Sequence, residues 1–159
     1  MTKGIIQIVA GVIIGVIVFM AQIEFDQNCG GYLKQAADAN TSELALKRLD
    51  KAVKYAEERG LTEGYTSVFY KTEDDNIGYW YQNLKACQKE LREVIGKSQL
   101  EQTNVLMKVR ESLTDNGKDG TKLTVPGGIA RYPYNVFYGI MTLLAVLLFG
   151  LGIFKIYES

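Results

Sequence analysis

The sequence predicts an all-α membrane protein in which two transmembrane helices bracket a soluble helical-bundle domain. Two apolar segments, Ile5–Met20 and Val136–Phe154, flank a polar segment that carries nearly all of the charge. A helix needs about 20 mostly apolar residues to cross the roughly 30 Å hydrocarbon core of a bilayer. Between the two segments, apolar residues recur at the spacing of amphipathic helices. We therefore expect transmembrane helices at residues 4–23 and 134–154, and a soluble domain of about four helices at residues 24–133.

The first apolar segment could instead be a cleaved signal peptide. Its basic start is limited to Lys3, and cleavage after Ala21 would place the bulky Phe19 where a small residue is required. The second segment contains no charge, and tyrosines lie at both of its ends, as expected at the depth of the lipid headgroups: Tyr132, Tyr134, Tyr138 and Tyr157. We interpret both segments as membrane anchors.

The side of the membrane that the middle segment occupies is less strongly indicated. Lys3 favours a cytoplasmic N-terminus, whereas Lys118, Lys122 and Arg131 precede the second segment and only Lys155 follows it. The positive-inside bias weakens for long loops, which cross the membrane largely regardless of charge. An extracytoplasmic domain is therefore the favoured reading, and the cytoplasmic one stays open.

Cap and stop signals divide the first half of the middle segment into helices. A short helix is expected near residues 31–39. Asn40, Thr41 or Ser42 then supplies the N-cap of an amphipathic helix that ends at Gly60. The following residues, up to position 72, lack a regular period.

The second half of the middle segment predicts two further helices. Thr72 is expected to cap a long helix whose acidic first turn, Glu73–Asp75, complements the helix dipole, and Gly96 ends it. Ser98 caps a fourth helix, which is expected to end at Asn116-Gly117. The stretch that follows has the turn residues and the short extended piece typical of a loop: turns at Asp119-Gly120 and Gly127-Gly128, and extension at Lys122–Val125.

A stripe of small and polar residues runs along the first transmembrane segment. At about 100° per residue its members fall on one face of the helix: Gly4, Gln7, Gly11, Gly15 and Gln22. Gly11 and Gly15 form a small-xxx-small motif that allows two helix backbones to approach closely. The stripe is either a helix–helix contact in which Gln7 finds a polar partner, or the lining of a pore formed by several copies. Packing is the commoner use of such a stripe.

Three further groups of residues are candidates for sites. An aromatic cluster could bind a sugar or a cationic ligand, although such residues more often belong to a core: Tyr65, Phe69, Tyr70, Tyr79, Trp80 and Tyr81. Cys29 and Cys87 could form a disulfide in an oxidising compartment or remain buried thiols. The acidic run Glu73–Asp75 lacks the alternating ligands of a calcium loop, so no metal site is expected.

Composition argues against several classes of function. The chain contains no histidine, the commonest general base and transition-metal ligand, and it carries no recognisable catalytic motif. We therefore expect a protein without catalytic residues, metal or other cofactor. The middle segment has a net charge of about −1 with both signs interspersed, so nucleic acid is not an expected partner.

Phrases in the middle segment carry a resemblance to a group of known proteins. Residues 31–45, GYLKQAADANTSELA, together with 64–70, GYTSVFY, and 78–85, GYWYQNLK, resemble small bacterial membrane proteins that are common in cyanobacteria and have no assigned activity. The resemblance covers most of the middle segment. It implies a location in a bacterial envelope or inner membrane, and it implies no mechanism.

Three functions are compatible with these features. The leading hypothesis is a two-pass membrane protein that associates with itself or joins a larger membrane complex, is surrounded by membrane lipid, and has a structural or accessory role. The second is a small homo-oligomeric ion channel lined by the first transmembrane helix. The third is a sensor subunit that binds a ligand at the aromatic cluster.

Overall fold

The computed structural model describes residues 2–117 and 120–157, which form two compact units. Unit 1 combines the two ends of the chain, up to Glu24 and from Ala130 onwards, and unit 2 is Phe25–Ile129. The expectations that rest on Lys118 and Asp119 lie outside the described residues. The elements follow in this order: α1 (Thr2–Phe25), a π-helical turn (Asp26–Gly30), α2 (Gly31–Ala37), α3 (Ser42–Glu58), α4 (Ile77–Val94), α5 (Gln99–Leu113), β1 (Thr114–Gly117), β2 (Gly120–Leu123), a 3-10 turn (Ile129–Arg131) and α6 (Asn135–Tyr157).

Two helices are long and apolar enough to cross a membrane, as the sequence predicts. One is α6, and the other begins at Thr2. The helix that begins at Thr2 continues without a break to Ala37. The expected interruption between the first membrane segment and the helix near residues 31–39 is therefore absent. The physical reason is the π-helical turn Asp26–Gly30, which maintains the backbone hydrogen bonding through a sequence that contains no proline.

Two of the predicted helix starts in unit 2 are confirmed. The Thr41 hydroxyl accepts a hydrogen bond from the backbone N–H of Leu44 at 3.2 Å and caps α3. Ser98 and Glu101 form a reciprocal capping box at the start of α5. The end of α3 is also as predicted, because Gly60 adopts the left-handed conformation (φ +67°) that follows many helices.

The predicted start of α4 is wrong by four residues. The helix begins at Ile77, and the side chain of Asn76 caps it by accepting a hydrogen bond from the N–H of Tyr79 at 3.0 Å. Thr72 instead donates its hydroxyl hydrogen to the Asp75 carboxylate at 2.5 Å. This bond holds the acidic run in a turn outside the helix, so it does not form an acidic first turn.

The end of α5 also differs from the expectation. The helix stops at Leu113, before Asn116-Gly117, because the chain becomes extended at Thr114 and pairs with β2. Thr114 lies opposite Leu123 in this two-stranded antiparallel sheet. β2 overlaps the predicted extended piece, Lys122–Val125, only at Lys122 and Leu123, and the pairing strand β1 was not predicted.

The core of unit 2 lies between helices α2 to α5. Its largest fully buried hydrophobic side chains come from all four of these helices: Leu33, Leu49, Ile77, Leu84, Leu91 and Val109. Helices α3 and α4 run antiparallel, as two polar contacts show. Glu57 accepts a hydrogen bond from Tyr81 at 2.6 Å, and Asp50 accepts one from Gln88 at 2.5 Å.

Candidate functional site

Within unit 1, α1 and α6 come into backbone contact at glycines. A Cβ atom added to Gly152 would lie 2.7 Å from the carbonyl oxygen of Gly4 and 2.6 Å from Cγ1 of Ile8. A Cβ atom added to Gly11 would lie 2.8 Å from the carbonyl oxygen of Ala145. All three distances are shorter than real Cβ atoms tolerate, so only glycine permits this approach. We call this contact the glycine seam, defined by Gly4, Gly11, Ala145 and Gly152.

The predicted stripe on α1 is only partly in the seam. The buried and half-buried positions of α1 include a series spaced alternately by three and four residues: Gly4, Gln7, Gly11, Ile14 and Val18. Such a spacing averages 3.5 residues, the period of helices that coil around each other. The expectation used the 3.6-residue period of a straight helix, which selected Gly15 instead of Ile14. In the structure Gly15 is exposed with no atom within 4 Å of an added Cβ, and Gln22 is half-buried.

The α6 side of the seam has a weaker signal in the sequence. The glycines of α6, Gly139, Gly150 and Gly152, have scattered angles on a straight helix. Gly152 is nevertheless the tightest position of unit 1, whereas Gly139 and Gly150 have open space around them. The alternating spacing of Ala145, Phe149, Gly152 and Ile156, which line the seam, would have identified this face.

Gln7 places a polar group in the apolar part of α1. Its side-chain Oε1 is buried and has no hydrogen-bond partner among residues 2–117 and 120–157. A buried acceptor without a donor costs about 1–3 kcal/mol, and the cost is higher in hydrocarbon than in water. The arrangement therefore leaves one hydrogen-bond acceptor that a water molecule or a donor from outside the chain can satisfy.

The aromatic residues proposed as a ligand site differ widely in their exposure. Trp80 is buried in the core of unit 2, and Tyr81 is half-buried. The four others are exposed: Tyr65, Phe69, Tyr70 and Tyr79. All six lie in the described part of the chain, and none of their rings pairs with another; the ring pair of unit 2 joins Phe25 and Tyr55 instead.

One member of this group takes part in a polar cluster between α3 and α4. The Tyr81 hydroxyl donates to Glu57, which also accepts a hydrogen bond from Lys85 at 3.2 Å. The hydrogen bond to the carboxylate raises the pKa of Tyr81 to about 12, and the same bond lowers the pKa of Glu57. Glu57 is on α3, whereas Tyr81 and Lys85 are on α4, so these hydrogen bonds connect the two helices.

The two cysteines are free, buried thiols in different environments. The Cys29 thiol lies 3.8 Å from the carbonyl oxygen of Ala52, to which it donates. Cys87 is on α4 and interacts with Ser112. Burial raises the pKa of Cys29 to about 12 and also raises the pKa of Cys87. Of the two alternatives derived from the sequence, the structure has the buried thiols.

This burial predicts slow thiol chemistry in the folded protein. At pH 8 we expect neither Cys29 nor Cys87 to react with iodoacetamide, because the thiolate is the reactive form and both thiols stay protonated and shielded. Denaturant should expose two reactive thiols, which mass spectrometry counts with and without prior reduction. Two labels only after reduction would instead indicate a disulfide.

Above about pH 9 the unfolded chain loses the Cys29 proton while the folded chain keeps it up to about pH 12, so the stability of unit 2 should fall across this range.

A surface depression lies on unit 2. The depression has a volume of about 710 Å³ and is open to solvent on the α2–α3 side of unit 2. It is lined by Gly31, Lys34, Gln35, Asp38, Ala39, Asn40, Leu44 and Arg48. Within the described ranges, no group of three or more Cys, Asp or Glu side chains is arranged to hold a metal ion.

The arrangement of unit 1 is therefore the most specific feature of the chain. It combines two helices of membrane-spanning length, a glycine seam between them and the buried amide oxygen of Gln7. The comparisons with family models, curated proteins and solved structures find no match to this chain.

Proposed function

We propose that this chain is a non-enzymatic two-pass membrane protein that self-associates and has a structural or accessory role. In this proposal α1 and α6 cross the bilayer as a helical hairpin whose glycine seam is formed within one chain. Unit 2 stands on one side of the membrane as the domain available to other proteins. The length and apolar character of the two helices and the close approach at Gly11 and Gly152 support the hairpin.

One observation carries the self-association. Three glycines on the outer surface of the hairpin have no atom within 4 Å of an added Cβ: Gly15, Gly139 and Gly150. Glycine costs roughly 1 kcal/mol relative to alanine inside a helix, and small residues in membrane helices commonly mark a surface at which a second helix approaches. Since the hairpin does not use these positions, a second copy of the chain is the natural occupant.

The location follows from the same layout. A long polar segment between two anchors crosses the membrane largely regardless of its charge, which favours an extracytoplasmic unit 2. The resemblance to small bacterial membrane proteins favours an inner membrane. Membrane lipid then covers the remaining apolar surface of α1 and α6.

The oligomeric state of the full-length chain tests the proposal. In lipid nanodiscs of varied size, or in mild detergent, we expect particles that contain at least two copies of the 17.8 kDa chain. Substitution Gly15→Leu should shift the population towards monomers without loss of helical content, because the added side chain has room in the single chain but not against a second one. A monomer for the unsubstituted chain in both media would refute self-association.

A homo-oligomeric channel is the second candidate, and the unsatisfied Oε1 of Gln7 favours it, because pore water could satisfy this oxygen. The covering of Gly4 and Gly11 by α6 argues against a pore along that face. Planar-bilayer recordings distinguish the two functions: a channel gives a conductance that changes in Gln7→Leu, whereas a structural protein gives none. The sensor hypothesis is less favoured, since four of its six aromatic residues are exposed: Tyr65, Phe69, Tyr70 and Tyr79.

A further inference from the structure

A closed loop between α3 and α4 presents apolar side chains to solvent. Its base is held by backbone hydrogen bonds from Ile77 to Gly64 (3.0 Å) and from Thr66 to Asp75 (3.0 Å). The Asp75 carboxylate also accepts hydrogen bonds from the hydroxyls of Thr66 and Thr72. The loop is thus a defined structure of the kind known as an Ω-loop, rather than a loose connection.

The tip of this loop is the most exposed apolar element of unit 2. Phe69 is 99% exposed, Tyr70 78% and Val68 49%. The three residues are consecutive, and the N–H of Tyr70 is bonded to the hydroxyl of Ser67 at 3.3 Å, which holds the tip in a turn. A fully exposed phenylalanine on an ordered loop loses the 1.5–3 kcal/mol that burial of such a side chain contributes, so a surface that covers it is expected.

Within unit 2, the loop lies at the end that contains the first residue of that unit. Phe25, the first residue of unit 2, packs edge-on against Tyr55 near the end of α3, with ring centroids 6.2 Å apart. The chain then enters the loop directly after α3, and α4 starts back from it at Ile77. Leu100, near the start of α5, lies at the opposite end, because α4 leads away from the loop before the turn to α5.

The chemistry of the tip fits the headgroup region of a bilayer. Aromatic rings with a polar group, such as Tyr70, concentrate at the membrane interface, where one part of the ring is in apolar and the other in polar surroundings. Lys71 lies over the Tyr65 ring at 5.0 Å, behind the tip. The loop from Leu61 to Asn76 carries one lysine and four acidic residues, so attraction to anionic lipids does not explain an interaction.

We propose that Val68, Phe69 and Tyr70 insert into the lipid headgroup region and form a third, peripheral membrane contact of the chain. The occupant is the bilayer in which α1 and α6 are embedded, and the contact is apolar rather than electrostatic. This inference requires that the chain crosses a membrane, but it does not depend on self-association. It assigns the exposed part of the aromatic cluster a role in positioning unit 2 at the membrane surface.

Lipid quenching of a tryptophan at the tip tests the proposal. The chain has a single tryptophan, the buried Trp80, so Trp80→Phe gives a silent background for full-length protein in phosphatidylcholine nanodiscs. In Phe69→Trp we expect emission that is shifted to shorter wavelength and quenched by lipids brominated near the top of the acyl chains. The matched control, Leu100→Trp, is also strongly exposed but at the far end of unit 2, and it should show neither effect.

A second measurement avoids the change at Trp80. Because Cys29 and Cys87 are buried, a nitroxide reagent should label only the new thiol of Phe69→Cys or of Leu100→Cys. At position 69 we expect high collision with oxygen and low collision with a water-soluble nickel complex. Equal nickel accessibility at the two positions, or protection from both reagents as under a covering protein, would overturn the proposal. A monomeric chain with lipid contact at position 69 would refute self-association but would support the membrane contact of the loop tip.

Discussion

Replacement of Gly11 by leucine is expected to open the helical hairpin of unit 1. The first added atom would meet the carbonyl oxygen of Ala145 at 2.8 Å and the amide nitrogen of Phe149 at 3.2 Å. Both are backbone atoms, so no side-chain rotation relieves the contact and the helices must separate. Overpacking of this kind costs about 1–3 kcal/mol, occasionally more, and the separation also removes contacts along the rest of the seam.

Denaturation with increasing sodium dodecyl sulfate in mixed micelles measures this effect on the full-length chain. The matched control is Gly15→Leu, which adds the same side chain one turn along α1 at a position with open space. The pair Gly152→Leu and Gly150→Leu repeats the comparison on α6, where position 152 is tight and position 150 is open. Equal losses of stability in Gly11→Leu and Gly15→Leu would contradict the glycine seam.

Gly11→Leu and Gly15→Leu are expected to affect two different measurements. Gly11→Leu should lower the stability of the hairpin, whereas Gly15→Leu should change the number of chains in a particle. Because both substitutions have the same intrinsic helix propensity, any difference between them reflects what surrounds each position.

Replacement of Leu91 by alanine is expected to cause the largest loss of stability in unit 2. Leu91 is fully buried on α4, which packs against α3 on one side and α5 on the other. Truncation of a buried leucine to alanine removes its transfer free energy and leaves a cavity, at a total cost of about 2–5 kcal/mol. This range is a large part of the 5–15 kcal/mol stability of a typical domain.

Urea unfolding of the full-length protein in mild detergent, followed by the fluorescence of the buried Trp80, measures this loss. Leu100→Ala is the control, because the same truncation on α5 removes a side chain that is 71% exposed. Its free energy of unfolding should stay within about 0.5 kcal/mol of the unsubstituted chain. A similar midpoint for Leu91→Ala and the unsubstituted chain would show that Leu91 is not part of the core.

The sequence predicted the start of a helix correctly where that start depends only on neighbouring residues. Thr41 and Ser98 cap their helices as expected, because an N-cap needs only a side-chain oxygen and the amide groups two or three residues ahead. The start of α4 was missed because Thr72 and Asn76 are both good caps. Asp75 decides between them by binding the hydroxyls of Thr66 and Thr72, which ties the acidic turn into the loop.

The candidate sites depended more strongly on contacts between distant residues. The aromatic residues are close in sequence, yet Trp80 faces the core while Phe69 is at the tip of a loop. The direction of each ring follows from the hydrogen bonds that close the loop and from the face that α4 presents to α3. Neither can be inferred from the spacing of aromatic residues alone.

The sequence by itself determined the two apolar helices, the helical character of the segment between them and the absence of histidine chemistry. These properties depend on composition, on local period and on capping, all of which act within a few residues. Only the tertiary structure decided which glycines are in contact. Gly11 approaches the backbone of α6 at Ala145 and Gly152 approaches that of α1 at Gly4, whereas Gly15 and Gly150, equally small, have no atom of the described residues within 4 Å of an added Cβ. The partner of a small residue is set by the crossing of the helices, and that crossing results from the sum of contacts along their whole length.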